Sequence, residues 1–155
     1  MHSTIVCLRT TRNANPPCSL EDFYGDGIPP FADYTDELPK SEYASVAEML
    51  CNTFCFLKPD TKCSTKLHVD HAKAKEALRD HYSTLRDLYA RMANGEKNPD
   101  GISPYWAGVL ATGDDYGVHI LSEHYCDMND MQFIAWCAGA APDTLYVLRA
   151  WDYHC

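Results

Sequence analysis

From Leu67 to Met92, the residues Leu67, His71, Ala74, Leu78, Tyr82, Leu85, Tyr89 and Met92 follow one another at gaps of three or four. That spacing puts side chains on one face of a helix. It predicts a helix over 65–93, stopped by Asn94-Gly95. At ~1.5 Å per residue such a helix is on the order of 40 Å long. A small core does not cover that length, so one end is expected to project or to meet a partner, a second copy of the chain included. Leu78 and Leu85 lie on the apolar seam and are expected to be buried. The other face carries Lys66, Lys73, Lys75, Arg79, Arg86 and Arg91 among Asp70, Glu76, Asp80 and Asp87. It reads as a solvated, salt-bridged surface.

A second helical run precedes it. Tyr43, Val46, Ala47, Leu50, Phe54 and Leu57 share a face, Ser41 can cap them, and Lys58-Pro59 ends the run, predicting a helix over 41–57. The first 40 residues are broken by Asn15-Pro16-Pro17, Gly25-Asp26-Gly27, Pro29-Pro30 and Pro39, and read as loop apart from a strand at Thr4–Arg9. After Pro104 the period falls towards two. Tyr105–Thr112 and Val118–Ser122 flank Gly113-Asp114-Asp115-Tyr116-Gly117 and read as a β-hairpin. Asn129 and Gln132 form a capping-box pair before Met131, Phe133, Ile134, Cys137 and Ala141. The segment 143–151 fits a helix or a strand. These elements predict an α+β domain over residues 1–155: a loop-rich segment (1–40), a helical hairpin with a long central helix (41–97), and a C-terminal β-hairpin covered by one or two helices (98–155).

A chain of 155 residues with 46% hydrophobic content, ten Tyr, three Trp and five Phe has enough apolar material for one core. The sequence contains no run of about 18 apolar residues, the length that spans a membrane as a helix. The apolar stretch at Ile5–Leu8 is too short for a signal-peptide core, so the eight cysteines are expected as thiols in a cytoplasm. The net charge of −9 is uneven. Arg9 and Arg12 stand alone in residues 1–12. Residues 13–57 hold eight acids against Lys40, residues 58–97 nine bases against six acids, and residues 98–155 eight acids against Arg149. Such a surface repels nucleic acid and attracts a basic protein groove. Asp33, Asp36 and Glu37 in the Pro-rich loop, with Asp114 and Asp115 at the hairpin tip, are the candidate partner-binding residues.

Chemistry-bearing motifs are weak. Cys51, Cys55, Cys63, His68 and His71 have zinc-ligand types but no Cys-x2-Cys knuckle, so a zinc-stabilised module is the alternative rather than the expectation. His119, His124, Cys126, His154 and Cys155 form a second group without fixed geometry. No Gly-x-Ser-x-Gly, P-loop or Gly-x-Gly-x-x-Gly is present, so no catalytic residue is assigned, no cofactor is expected, and a small Cys/His enzyme is a rival reading.

Asp130-Met131-Gln132-Phe133-Ile134-Ala135, followed by Ala138, Pro142, Leu145 and Leu148-Arg149-Ala150, resembles the C-terminal pattern of Ead-type phage early proteins. Pro104-Tyr105-Trp106 stands, with one residue inserted, where that family shows Pro-Trp. The resemblance covers about the last third of the chain and implies a phage or mobile-element origin. It suggests by analogy an anti-CRISPR-like inhibitor, active in the host cytoplasm, that blocks a nucleic-acid-handling defence complex sterically or by imitating nucleic-acid charge.

Overall fold

The computed structural model describes residues 2–12, 19–113, 117–122 and 127–154. The class is α+β: helices packed on one seven-stranded mixed sheet. In chain order the elements are β1 (His2–Arg9), α1 (Glu21–Tyr24), β2 (Tyr34–Glu37), α2 (Tyr43–Thr53), β3 (Leu57–Pro59), β4 (Lys66–Val69), α3 (His71–Ala93), α4 (Pro104–Thr112), β5 (His119–Leu121), β6 (Asp127–Met128), α5 (Asp130–Gly139) and β7 (Thr144–His154). Short 3-10 turns precede α2 and α4. The strands run β3-β4-β7-β1-β5-β6, with β2 also paired to β7. Among the described residues only β1 and β5 are parallel.

Strand β7 sets the register of most of the sheet. One edge pairs with β1, and the other pairs with β4 near Thr144–Tyr146 and with β2 near Trp151–His154. Cys7 pairs with Arg149 and Leu8 with Val147, which leaves Leu148 as an extra residue in a bulge. Side chains alternate along a strand, so one inserted residue swaps which parity faces which side. Leu145 and Val147 face the helices before the bulge and Ala150 does so after it, while Trp151 and Tyr153 face the opposite side.

The main core lies between the sheet and the helices. Val6, Leu8, Ile120, Leu145 and Val147 meet Val46, Ala47 and Leu50 of α2 and Phe133, Cys137 and Ala138 of α5. Phe133 is fully buried, with Phe54 edge-on at 5.0 Å and Phe56 at 6.0 Å. Helix α3 packs on α5 and carries α4 on its outer side, where the Tyr89 hydroxyl donates to the Ala107 carbonyl. Leu85 is buried and Leu78 is partly buried, as their seam implies.

Three sequence expectations need correction. The helical hairpin does not form, because a β-hairpin (β3–β4) separates α2 from α3. Phe54 is extended, so α2 stops at Thr53. Leu67 and Val69 point inward with a strand's period, and α3 starts only where the Asp70 carboxylate caps it by accepting from the Lys73 amide. The proposed hairpin strand at 105–112 is helix α4. Ser103 caps it and Pro104 occupies its first turn, a start signal that outweighs the apparent alternation. The partner half, 118–122, does hold strand β5, but it pairs with β1 and β6. The 143–151 ambiguity resolves as strand β7. The strand at Thr4–Arg9 and the capping box at Asn129–Gln132 are both present.

Phe133→Ala is expected to cost about 3–5 kcal/mol in urea denaturation, because it empties the centre of the main core. Tyr82→Ala, at an exposed site on α3, should stay within about 0.5 kcal/mol.

Candidate protein-binding surface

The sheet face opposite the helices is covered by the chain from Ser19 to Asp33, which returns into the sheet as β2. Leu20, Phe23, Tyr24, Phe31 and Ala32 pack on Ile5, Cys7, Leu121, Trp151 and Tyr153. Phe31 stacks on His119 with centroids 3.9 Å apart and meets Tyr153 edge-on at 5.2 Å. Gly25 and Gly27 adopt positive φ, which lets the chain turn after α1. The Asp26 carboxylate fixes that turn by accepting from the Ile28 amide at 3.1 Å. The Asp33 amide then donates to the His154 carbonyl at 2.7 Å, where pairing with β7 begins.

The apolar side of this strap faces inward and its outer side is acidic. Glu21, Asp22, Asp26, Asp33, Asp36 and Glu37 are all exposed, and no Lys or Arg occurs between Ser19 and Pro39. Asp36 sits directly opposite Asp152 across the β2–β7 pair. Like charges in that position repel, so this edge holds its negative potential at some cost to pairing. Asp33 is 77% exposed, with His154 Nδ1 at 3.5 Å. Tyr34 lies parallel to the His154 ring at 5.6 Å.

Glu37 plays a different part from its neighbours. Arg149 Nε donates to it at 2.8 Å, a second guanidinium nitrogen also bonds to it, and that guanidinium lies 5.0 Å from the Trp151 ring centre. The hydrogen bond from Arg149 holds the Glu37 carboxyl below its ordinary value. Its charge is compensated within the fold, so it anchors β2 and leaves Asp33 and Asp36 to face outward. Asp114 and Asp115 lie outside the described residues.

The zinc-type residues do not converge. Cys51 lies half-buried on α2, where burial pushes its thiol up. Cys55 is exposed beyond the helix, and Cys63 sits in the β3–β4 turn against the Thr65 hydroxyl at 3.6 Å. His68 Nε2 is 2.8 Å from Asp60 Oδ2. His71 bridges the Cys137 carbonyl (2.7 Å) and Asp143 (3.1 Å). Among the described residues, no three His, Cys, Asp or Glu side chains are placed to hold a metal ion. Among the described residues Cys51, Cys55, Cys63 and Cys137 are free thiols, and burial pushes the Cys137 thiol up to about 12. Of the second group, His119 and His154 are placed as above, whereas His124, Cys126 and Cys155 lie outside the described residues.

Sequence reasoning missed the pair of buried His119 and partly exposed Asp127, whose Nδ1 and Oδ1 are 2.8 Å apart. It ties β5 to β6 beneath Phe31. Eight residues separate the two, a spacing with no local signature. No helix among the described residues is long and apolar enough to cross a membrane. Comparison of the chain with protein-family models, curated proteins and solved structures finds no match.

The Glu37–Arg149 pair gives the strap a pH dependence of known sign. A carboxyl with a lowered folded pKa contributes fully above its ordinary value of about 4.3 and loses that contribution as pH falls through the lowered value. Amide exchange of β2, measured as protection relative to the intrinsic rate at each pH, is therefore expected to lose protection on acidification in the parent. In Glu37→Gln protection should already be lower at neutral pH, with this part of the pH response removed.

Proposed function

We propose that this chain is a binding protein that presents the acidic strap to a basic groove on a nucleic-acid-handling protein and blocks it. In the setting suggested by the phage-protein resemblance, the target is a host defence complex and the effect is anti-CRISPR-like. The observation that carries this reading is the strap's division of labour. Its aromatics are spent on fastening it to the sheet, while Glu21, Asp22, Asp26, Asp33 and Asp36 point outward with no intervening base. Carboxylates held on a fastened segment are preorganised, which lowers the cost of docking onto cationic side chains. Complementary charge of this kind raises association rates most at low salt.

A second reading, a homodimer, has one observation in its favour. Tyr82, Tyr89, Tyr105, Trp106 and Leu110 are exposed on α3 and α4, more apolar surface than scattered single residues would give. Sedimentation of the isolated chain separates the readings: a monomer leaves the strap as the working surface, and a dimer lost in Trp106→Ala favours self-association.

The double variant Asp33→Asn/Asp36→Asn is expected to keep the parent melting temperature. Its association with a basic target, such as a nucleic-acid-binding nuclease complex, should slow about tenfold at low salt and converge with the parent at high salt. Equal association rates at all salt concentrations would remove charge imitation as the mechanism.

A further inference from the structure

Two basic segments far apart in sequence meet on the strap side of the sheet, beyond the strap's apolar contacts. Arg9 pairs with Tyr146, and Tyr146 pairs with Lys66, so three side chains stand in one row across β1, β7 and β4. Leu8, Leu67, Leu145 and Val147, their neighbours along the strands, all face the helix core, which puts this row on the other face. Lys66 Nζ lies 6.0 Å from the Tyr146 ring centre. The β3–β4 turn closes one side of the row, held where the Val147 amide donates to the Thr65 carbonyl at 2.8 Å. In that turn the Cys63 thiol is held below its ordinary range, first by its hydrogen bond with Thr65 and further by the nearby charge of Arg12. Arg12 is exposed.

The charges here do not balance. Asp60 serves both Lys66, at 3.4 Å, and His68, at 2.8 Å, while Lys58 is paired with Asp70 at 3.2 Å. Arg9 is only 6% exposed, yet its hydrogen bond among the described residues is a long one, 3.4 Å from Nη1 to the Leu8 carbonyl, with no carboxylate paired to it. A buried guanidinium without a counter-charge is costly and calls for an anion. Lys66 keeps its pair with Asp60, so Arg9 is the cation here that has no carboxylate beside it among the described residues.

We infer that Arg9 and Lys66, in one row with Tyr146, form a binding site for a small phosphate-bearing anion, with the charge of Arg12 near its Cys63 side. Arg9 supplies a planar fork suited to phosphate oxygens, and Lys66 and Arg12 add charge from the flanks. The half-buried Tyr146 ring offers a flat surface on which the base of a nucleoside phosphate can rest. This site is separate from the acidic surface, and neither reading depends on the other.

The test is a thermal-shift and calorimetric titration of the full chain with inorganic phosphate, AMP and adenosine, each against sodium chloride at equal ionic strength. Phosphate and AMP should stabilise saturably and adenosine should not. Tighter binding of AMP identifies a nucleotide as the source, and equal binding identifies free phosphate. Lys66→Gln and Arg12→Gln, both at accessible side chains, should each weaken binding about tenfold or more. Arg9→Lys keeps the buried charge but loses the fork, and should weaken it similarly without unfolding the chain. Absence of saturable stabilisation beyond chloride, or unchanged affinity in both Lys66→Gln and Arg12→Gln, would overturn the inference. So would binding of a single-stranded oligonucleotide with none of AMP or phosphate, which would assign the row to nucleic acid.

Discussion

The structure depends on the pairing of one strand. Residues 144–154 of β7 pair with β1 along one edge and with β4 and β2 along the other. Strand pairing this far apart in sequence carries a large closure cost, which must be offset by apolar burial on both faces. The bulge at Leu148 makes that possible. Its extra residue turns Ala150 towards the helices and Arg149, Trp151 and Tyr153 towards the strap, so each end of one strand serves a different layer.

The consequences for function follow from which face is covered by what. Helices α2, α5 and α3 cover one side with ordinary apolar packing. On the other side the strap covers only the end around Ile5, Trp151 and Tyr153, and there its outer surface is acidic. At the opposite end, Arg9, Tyr146 and Lys66 replace apolar side chains. The strap's carboxylates and the Arg9–Lys66 row thus lie at opposite ends of β7, with Asp36 and Asp152 turned to the helix side. A net charge of −9 describes neither of them.

Much of this was legible in residues whose signals are local. The Asn129–Gln132 capping box announced α5, and the short apolar run within Thr4–Arg9 announced β1. The seam through Leu85 located the body of α3. The errors arose where two local signals competed. Leu67 fits both the helical period and the inward face of β4, and only Asp70, as an N-cap, decides the boundary. Tyr105–Thr112 looked alternating, but Ser103-Pro104 starts a helix. The acidic strap was visible as composition, because its six carboxylates are consecutive in charge order. The separate role of Glu37 was not, because it depends on Arg149, 112 residues away. The same holds for the Arg9–Tyr146–Lys66 row, which exists only through strand register.

In this fold β7 is expected to be the last element to open, with the strap a separately fastened layer upon it. Native-state hydrogen exchange resolved to single amides tests this most directly. The amides of Leu145–Tyr153 that bond to β1 should exchange only through global unfolding, while those of Tyr34–Glu37 and the strap open at lower free energy with the β1–β7 pairing still protected. Protection of the strap equal to that of β7, or loss of β7 protection before that of α2 and α5, would contradict it.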